Sequence, residues 1–302
     1  MEHGPLEETM VDEGKYAATL EEEMRAARIA NVELTADERG AIERLLDGGS
    51  CVDVDALLRE MGEAAFSSES GAFAAFVARN HQRICVAAAD SDDVSKLLVL
   101  GYKMGISRGD AACMNDLGAL YYMGDLVEQD YAKAAELYEM AMNHGCYQSI
   151  INLGYIWEYG RTGERDYQKA YQYYALAAAL ADSSEAAYKL GDMYSRGKFV
   201  ERDTAKAYQL WSRSLDLAED IVEIAQPAIR IAQLLLSEDC ESAGVKCEPM
   251  RALQLFQQAE IGLRIDIDNG QTYYRKRLEE AIEGQEKARA IIDGQVIDEP
   301  IF

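Results

Sequence analysis

Residue types that carry out catalysis or bind metals are few in this sequence and widely separated. His3, His81 and His144 are the only histidines, and no two of them have the i, i+4 spacing of a helical metal site. The run GGSCV at 48–52 lacks the last glycine of a nucleophile elbow. Neither a Walker A loop nor a dinucleotide-binding glycine loop occurs. We therefore expect no catalytic residues, no metal and no cofactor.

The six cysteines show no regular pairing framework, since their successive spacings are 34, 28, 33, 94 and 7 residues. We predict that most of them are reduced and buried. Cys240 and Cys247 are the closest pair, and they could form a redox clip or supply half of a zinc site. The zinc interpretation lacks two further Cys or His ligands nearby.

The segment DIDNG at 266–270 is similar to the start of a calcium loop. However, Ile265 and Ile267 occupy positions that require carboxylates, so we predict a turn.

A five-residue motif, Asp-x-x-Lys-Ala, recurs at intervals of 36 and 37 residues and could be a repeated chemical site or a structural joint. It stands at 130–134, 166–170 and 203–207, and a looser copy, EPMRA, stands at 248–252. A Leu-Gly pair precedes each of the three close copies, and an aromatic residue and then a small residue follow it. Such a period indicates a repeat architecture. We interpret the motif as a joint, with Lys133 and Lys169 exposed to solvent.

Each unit of this pattern predicts two helices. The first contains Leu-Gly and an aromatic residue, and it ends at Gly124, Gly160 or Gly197, because glycine suits the left-handed C-cap. The second begins at the Asp of the motif, whose carboxylate can cap free backbone N–H groups. Gly118, Gly154 and Gly191 are expected where a neighbouring helix comes too close for a side chain, opposite the alanines of the motif. Four to five units cover residues 72–265.

This pattern at this period resembles the Sel1-like repeat, a relative of the tetratricopeptide repeat. The resemblance implies an all-α fold, a right-handed α/α superhelical solenoid of helix pairs that acts mainly as a protein-interaction scaffold. The units are placed near 72–110, 111–147, 148–184, 185–221 and 222–265. A cysteine-rich branch of the family resembles penicillin-binding hydrolases, but it carries a cysteine pair in every repeat and a signal peptide, and this sequence shows neither.

The flanking segments lack the repeat pattern. Residues 1–70 are predicted to form an acidic helical segment, with disorder at 1–13 and helices at about 15–30, 36–46 and 53–62. Residues 71–270 form the predicted solenoid. In residues 271–302, the amphipathic stretch at 272–292 is predicted to be a helix that covers the last apolar face.

Acidic residues outnumber basic residues by 54 to 30, which gives the 302-residue chain a formal net charge of −24. Residues 1–70 hold 18 acidic and 6 basic residues, half of this excess. Such a charge disfavours nucleic acid and anionic membranes as partners. No apolar run approaches the ~18 residues of a membrane helix, and no signal peptide is recognised. We therefore predict a cytoplasmic protein whose partner is a protein or peptide, basic or amphipathic in character.

Candidate binding residues follow from helical geometry, because positions two before, two after and five after each Leu point away from the Leu/Gly/aromatic face. By resemblance to tetratricopeptide arrays, these positions would face the concave groove. The candidates are tyrosines as hot spots, carboxylates as counter-charges and one amide: Asn115, Tyr122, Tyr155, Glu158, Tyr188 and Asp192. The alternative is that these positions are ordinary solvated ones or contact the N-terminal helices.

The sequence thus predicts a non-catalytic scaffold or adaptor that binds a protein or peptide in the groove of the solenoid. Two alternatives remain open at this stage. One is a hydrolase resembling the cysteine-rich Sel1-like proteins. The other is a regulator that its own acidic N-terminal segment inhibits by folding across the groove.

Overall fold

The computed structural model describes residues 52–269 and 271–298, and within these ranges every regular element is a helix. The helices pack mainly on their neighbours along the chain, as the helix pairs of a solenoid do. Twelve α-helices occur in the described ranges: α1 Val54–Phe66, α2 Ala72–Asp90, α3 Asp92–Ser107, α4 Ala111–Met123, α5 Tyr131–Asn143, α6 Tyr147–Tyr159, α7 Tyr167–Ala181, α8 Ser184–Arg196, α9 Thr204–Leu217, α10 Ile221–Leu235, α11 Pro249–Asp268 and α12 Arg275–Asp298.

The ends of these helices follow the predicted signals. Each Asp of the Asp-x-x-Lys-Ala motif is an N-cap whose side chain accepts a hydrogen bond from the backbone N–H of the motif's own lysine, at 2.8–3.0 Å. The C-cap glycines of α4, α6 and α8 adopt the left-handed conformation. The backbone N–H of each N-cap Asp also bonds the carbonyl of the first helix's aromatic residue, Tyr121, Trp157 or Tyr194. The motif is therefore a structural joint.

The motif's lysine has a contact that the sequence reasoning missed. The Lys133 ammonium lies 4.2 Å from the centroid of the Tyr121 ring, and the Lys169 ammonium lies 3.7 Å from that of Trp157. Although both lysines are exposed, each covers the aromatic face of the preceding helix by a cation–π contact. The predicted exposure of both lysines is correct, and the cation–π contact is a role that the sequence did not predict.

The interior glycines admit an aromatic ring from the second helix of the same unit. A Cβ on Gly154 would overlap the ring of Tyr174, and one on Gly191 would overlap Trp211. Tyr174 is fully buried, so each ring occupies space that the glycine leaves empty. The predicted close approach is correct, but the ring fills it, and the motif's alanine contributes a backbone carbonyl beside it, as Ala207 does near Gly191.

Two helices outside the repeat pattern, α1 and α12, pack against the repeat helices next to them in the chain. In α1, Leu57 and Met61 are fully buried, and the helix packs against α2 and α3. At the other end, α12 packs on α11, and Gly284 lies against the ring of Phe256, as expected for a helix covering the last apolar face. The helices predicted at 15–30 and 36–46 and the disorder predicted at 1–13 lie outside the described residues.

The connection between α10 and α11 contains the closest pair of cysteines in the sequence. Cys240 and Cys247 form a disulfide whose Cα atoms lie 5.8 Å apart, whereas Cys85, Cys113 and Cys146 are free. The disulfide matches the redox clip that the sequence left open for this pair, and the three free cysteines agree with the prediction that most are reduced. A short 3₁₀ turn at Glu238–Cys240 lies within the connection. Among the described helices, none combines the length and the apolar character that a membrane crossing requires.

Candidate protein-binding surface

The six predicted binding residues all lie on the first helices of three successive units, α4, α6 and α8. These helices are linked to one another by side-chain contacts between units. The Asn152 side-chain amide donates to Oδ1 of Asn115 at 3.0 Å and so links α6 to α4. The Tyr155 hydroxyl donates to Glu185 and links α6 to α8. Polar side chains of these first helices therefore link successive units.

Three of the six residues are partly exposed, as a binding surface requires. Asn115, Tyr122 and Tyr155 are all intermediate in exposure. The Tyr122 hydroxyl accepts a hydrogen bond from Nε of Arg161 at 3.2 Å. The Tyr155 ring stacks on the ring of Tyr159, with centroids 5.9 Å apart and planes within 5°. These side chains remain candidate contacts for a partner.

Glu158, by contrast, is buried, with 3% of its surface exposed. Its carboxylate receives three donors: Nζ of Lys189 at 2.6 Å, Nζ of Lys198 at 2.9 Å and the Tyr174 hydroxyl at 2.9 Å. Burial alone would raise the pKa of Glu158, but the two ammonium charges and their hydrogen bonds outweigh it and lower the pKa to about 2. Glu158 is therefore an ionised internal anchor between two units.

Lys189 is the centre of this buried cluster. Its ammonium lies 4.7 Å from the ring centroid of Tyr155 and 5.9 Å from that of Tyr188. Burial would lower the pKa of Lys189, but the adjacent Glu158 carboxylate raises it, so the side chain stays charged. Lys189 thereby brings three of the predicted residues together: Tyr155, Glu158 and Tyr188.

Asp192 and Tyr188 both contact a second buried cation, Arg230 on α10. Nε of Arg230 lies 2.8 Å from Oδ1 of Asp192, and one of its Nη groups donates to the Tyr188 hydroxyl at 3.4 Å. Arg196 adds a second ion pair to Asp192 at 3.0 Å. Asp192 is 3% exposed and Tyr188 is 8% exposed. These two residues connect units inside the protein.

The predicted acidic groove needs correction for these reasons. The first helix of the next unit covers both carboxylates, with Lys189 on Glu158 and Arg230 on Asp192. Glu158 also accepts a hydrogen bond from Tyr174 in the core of its own unit. Neither carboxylate is a free counter-charge for a partner. A signal for this was present in the sequence, since Lys189 directly precedes the Leu-Gly pair of its unit and Arg230 precedes the corresponding Ile-Ala pair. Cations at the same position of successive units indicate pairing between units.

Arg161 is a surface residue that the sequence reasoning did not single out. It directly follows the C-cap glycine of α6, and its guanidinium carbon lies near three tyrosine rings. The distances to the ring centroids are 5.5 Å for Tyr122, 5.0 Å for Tyr131 and 5.4 Å for Tyr159. These three tyrosines, here named the tyrosine cage, join the first and second helices of one unit to the first helix of the next.

The metal-ligating residue types are scattered over the described part of the chain. In this part of the chain, no group of three or more His, Cys, Asp and Glu side chains could hold a metal ion. His81 and His144 are exposed, and His144 bonds only the carbonyl of Met140, one helical turn earlier.

Comparison with known proteins supports the repeat interpretation. The family profile described as "Sel1 repeat" matches residues 111–146, 148–182 and 184–218. These ranges coincide with the helix pairs α4–α5, α6–α7 and α8–α9. The pairs α2–α3 and α10–α11 lie outside the matches. No curated protein matches the chain at a significant level.

Three solved structures are similar to this chain at identities below 20%. A Sel1 repeat protein from Oxalobacter formigenes is 19% identical, with 78% of this chain and 99% of that chain covered and a TM-score of 0.49. The protective antigen c5321 of uropathogenic Escherichia coli, which displays an SLR fold, is 18% identical over 89% of this chain and 64% of that one, with a TM-score of 0.45. The immunity protein Pa5087 of Pseudomonas aeruginosa is 17% identical over 71% and 83%, with a TM-score of 0.35.

The matched ranges and the helix pairs divide residues 111–218 at nearly the same places. The chain therefore contains three consecutive Sel1 repeats, formed by α4–α5, α6–α7 and α8–α9.

Proposed function

We propose that this protein is a non-catalytic scaffold that binds a protein or peptide along the first helices of its Sel1 repeats. Sel1-like repeat proteins typically act as protein-interaction scaffolds. The observation that carries the proposal for this chain is a row of partly exposed tyrosines on α4 and α6: Tyr122, Tyr155 and Tyr159. Tyrosines are common energetic hot spots of interfaces, because each buries a large apolar ring and offers a hydroxyl.

The composition supports a basic or amphipathic partner. The net charge of −24 favours encounter with a positively charged partner and disfavours nucleic acid. Because Glu158 and Asp192 are already paired inside the protein, this attraction would come from the remaining, exposed carboxylates. The contact surface itself would be aromatic, formed by Tyr122 and Tyr155 with Asn115 at its edge.

A cytoplasmic location is part of this proposal. The Cys240–Cys247 disulfide is the feature that argues against it, because disulfides persist mainly in oxidising compartments. Alkylation of free thiols in intact cells, followed by mass spectrometry, would decide the point. Cys240 and Cys247 should be alkylated if the protein is cytoplasmic and protected if it is not.

The hydrolase alternative gains no support from the described residues. The cysteine-rich relatives carry a cysteine pair in every repeat, whereas here the described pair lies in one connection, between α10 and α11, outside the matched repeats.

Partner capture with the full chain, followed by affinity measurement, tests the proposed function. Tyr122→Ala and Tyr155→Ala should each weaken binding of the captured partner about tenfold or more, the usual loss at an aromatic hot spot. Tyr273→Ala is the matched control, because Tyr273 is 58% exposed and lies outside the repeats, just before α12. Equal affinities for all three variants and the unmodified chain would rule out this surface.

A further inference from the structure

Arg161 occupies an unusual environment for a cation in an acidic protein. Its guanidinium lies 5.0–5.5 Å from the centroids of the tyrosine cage, Tyr122, Tyr131 and Tyr159, and donates through Nε to the Tyr122 hydroxyl at 3.2 Å. No carboxylate of the described residues forms an ion pair with it. The cage therefore holds a guanidinium by three ring faces and one phenol oxygen, as aromatic sites for cationic ligands do.

The corresponding residue of the next unit shows that this arrangement is particular to Arg161. Lys198 also directly follows a C-cap glycine, and it also reaches back to the preceding unit. However, Lys198 forms an ion pair with the buried carboxylate of Glu158 at 2.9 Å and is largely shielded from solvent. Lys198 is thus fixed by a buried charge, whereas Arg161 is exposed and is held by three rings and the Tyr122 hydroxyl.

The backbone around Arg161 is suited to release it. Gly160 and Gly163 both have positive φ angles, 64° and 153°, which glycine adopts without strain. The residues from Arg161 to Arg165 are all exposed. Movement of the Arg161 side chain out of the cage would therefore break one hydrogen bond and expose the three rings, and it would disturb no buried ion pair.

We propose that the tyrosine cage is a subsite for an arginine side chain of the partner, and that Arg161 fills it as an internal stand-in until the partner's arginine displaces it. An arginine is favoured over a lysine because the planar guanidinium can stack on the rings while it donates to the Tyr122 hydroxyl. This subsite rests on the proposed scaffold function, since it names the chemistry of the partner at that surface. It also makes Arg161 a competitor of the partner, so its removal strengthens binding.

The test measures binding of a fluorescent octapeptide of alternating arginine and glycine to the full-length chain. Arg161→Ala should bind this peptide about three- to tenfold more tightly than the unmodified chain. Arg165→Ala is the matched control, because it removes the same charge from the same exposed loop without touching the cage. A peptide with citrulline in place of arginine keeps the shape and removes the charge, so it should show no gain.

Addition of Tyr159→Leu to Arg161→Ala should return the affinity to that of the unmodified chain or below. Circular dichroism must first show that each variant keeps its helix content. Equal gains for Arg161→Ala and Arg165→Ala, or a gain that survives loss of the Tyr159 ring, would overturn the subsite. Because the peptide assay needs no natural partner, it can fail while partner capture succeeds, and the subsite and the scaffold function are therefore tested separately.

Discussion

Two buried carboxylates of this protein have opposite electrostatic surroundings. Glu158 is surrounded by Lys189, Lys198 and the Tyr174 hydroxyl, and its pKa is lowered to about 2. Asp266, near the C-terminal end of α11, is 6% exposed and has no side-chain hydrogen bond or ion pair with a described residue. Burial, together with the charge of Asp220, raises the pKa of Asp266 to about 6. The first charge stabilises the fold at neutral pH, and the second destabilises it.

Replacement of each carboxylate by its amide should therefore change stability in opposite directions at pH 7. Glu158→Gln should lower the free energy of unfolding by ~3 kcal/mol, because it leaves buried ammonium groups without their anion. Asp266→Asn should raise it by ~1–2 kcal/mol, because it removes an unpaired buried charge. Urea unfolding followed by circular dichroism measures both changes, and each variant serves as the control for the other.

The pH dependence separates the two effects. The folded-state pKa of Asp266 is raised above its ordinary value of 3.8, so the favourable neutral form is complete below that value and is lost as pH rises through about 6. The gain from Asp266→Asn should thus be small at pH 4. The pKa of Glu158 is depressed, so its contribution is lost only as pH falls from about 4.5 through about 2. A gain from Asp266→Asn that is equal at pH 4 and pH 7 would contradict this account.

At the scale of the helices, the sequence predicted where the interior glycines lie but only partly which group packs against them. The Leu-Gly pairs correctly marked a close approach within each unit. The group that approaches Gly154 is the ring of Tyr174, whose hydroxyl also bonds the buried Glu158. The glycine thus contacts the aromatic ring, and the ring's hydroxyl contacts the carboxylate. The spacing of the residues does not reveal these contacts, because they depend on the directions of the side chains.

Gly154→Ala should therefore destabilise the protein although alanine favours the helix. The added Cβ would overlap the Tyr174 ring, which is fully buried and cannot move without weakening its bond to Glu158. We expect a net loss of ~2 kcal/mol, with overpacking outweighing a propensity gain of ~1 kcal/mol. In Gly62→Ala, on α1, the new Cβ would meet no atom within 4 Å, so this variant should gain ~0.5–1 kcal/mol. Equal signs for the two variants in thermal unfolding would refute the packing argument.

The helix ends and the repeat type were predictable because they depend on local rules. Asp130 and Asp166 cap helices, and Gly124 and Gly160 end them, whatever the distant parts of the chain do. The exposure of the candidate site was not predictable in the same way. It depends on how closely the first helices of successive units approach. Protein binding by the six candidate residues stays a prediction, and three of them, Glu158, Tyr188 and Asp192, are buried.

At the scale of the whole molecule, the question is where the stable solenoid begins. The sequence prediction separated residues 1–70 from the repeats, and that division stays a prediction. The contacts within the chain group Asp53–Phe302 as one compact unit, which includes α1. Arg108 ties the end of α1 to the repeats, since its guanidinium donates to the carbonyls of Ala65 and Ser67 at 3.1 and 2.6 Å. We infer that α1 is the N-terminal cap of the array.

Two truncations should consequently differ sharply. A chain that begins at Val52 keeps α1 and should unfold at the same urea midpoint as the full chain. A chain that begins at Ser67 loses the fully buried Leu57 and Met61, exposes the apolar faces of α2 and α3, and should be less stable by at least ~3 kcal/mol. Equal midpoints for the two truncations would show that α1 is no cap. The chain that begins at Val52 also tests the autoinhibited alternative. If it binds a captured partner more tightly than the full chain does, residues 1–51 restrict access to the binding surface.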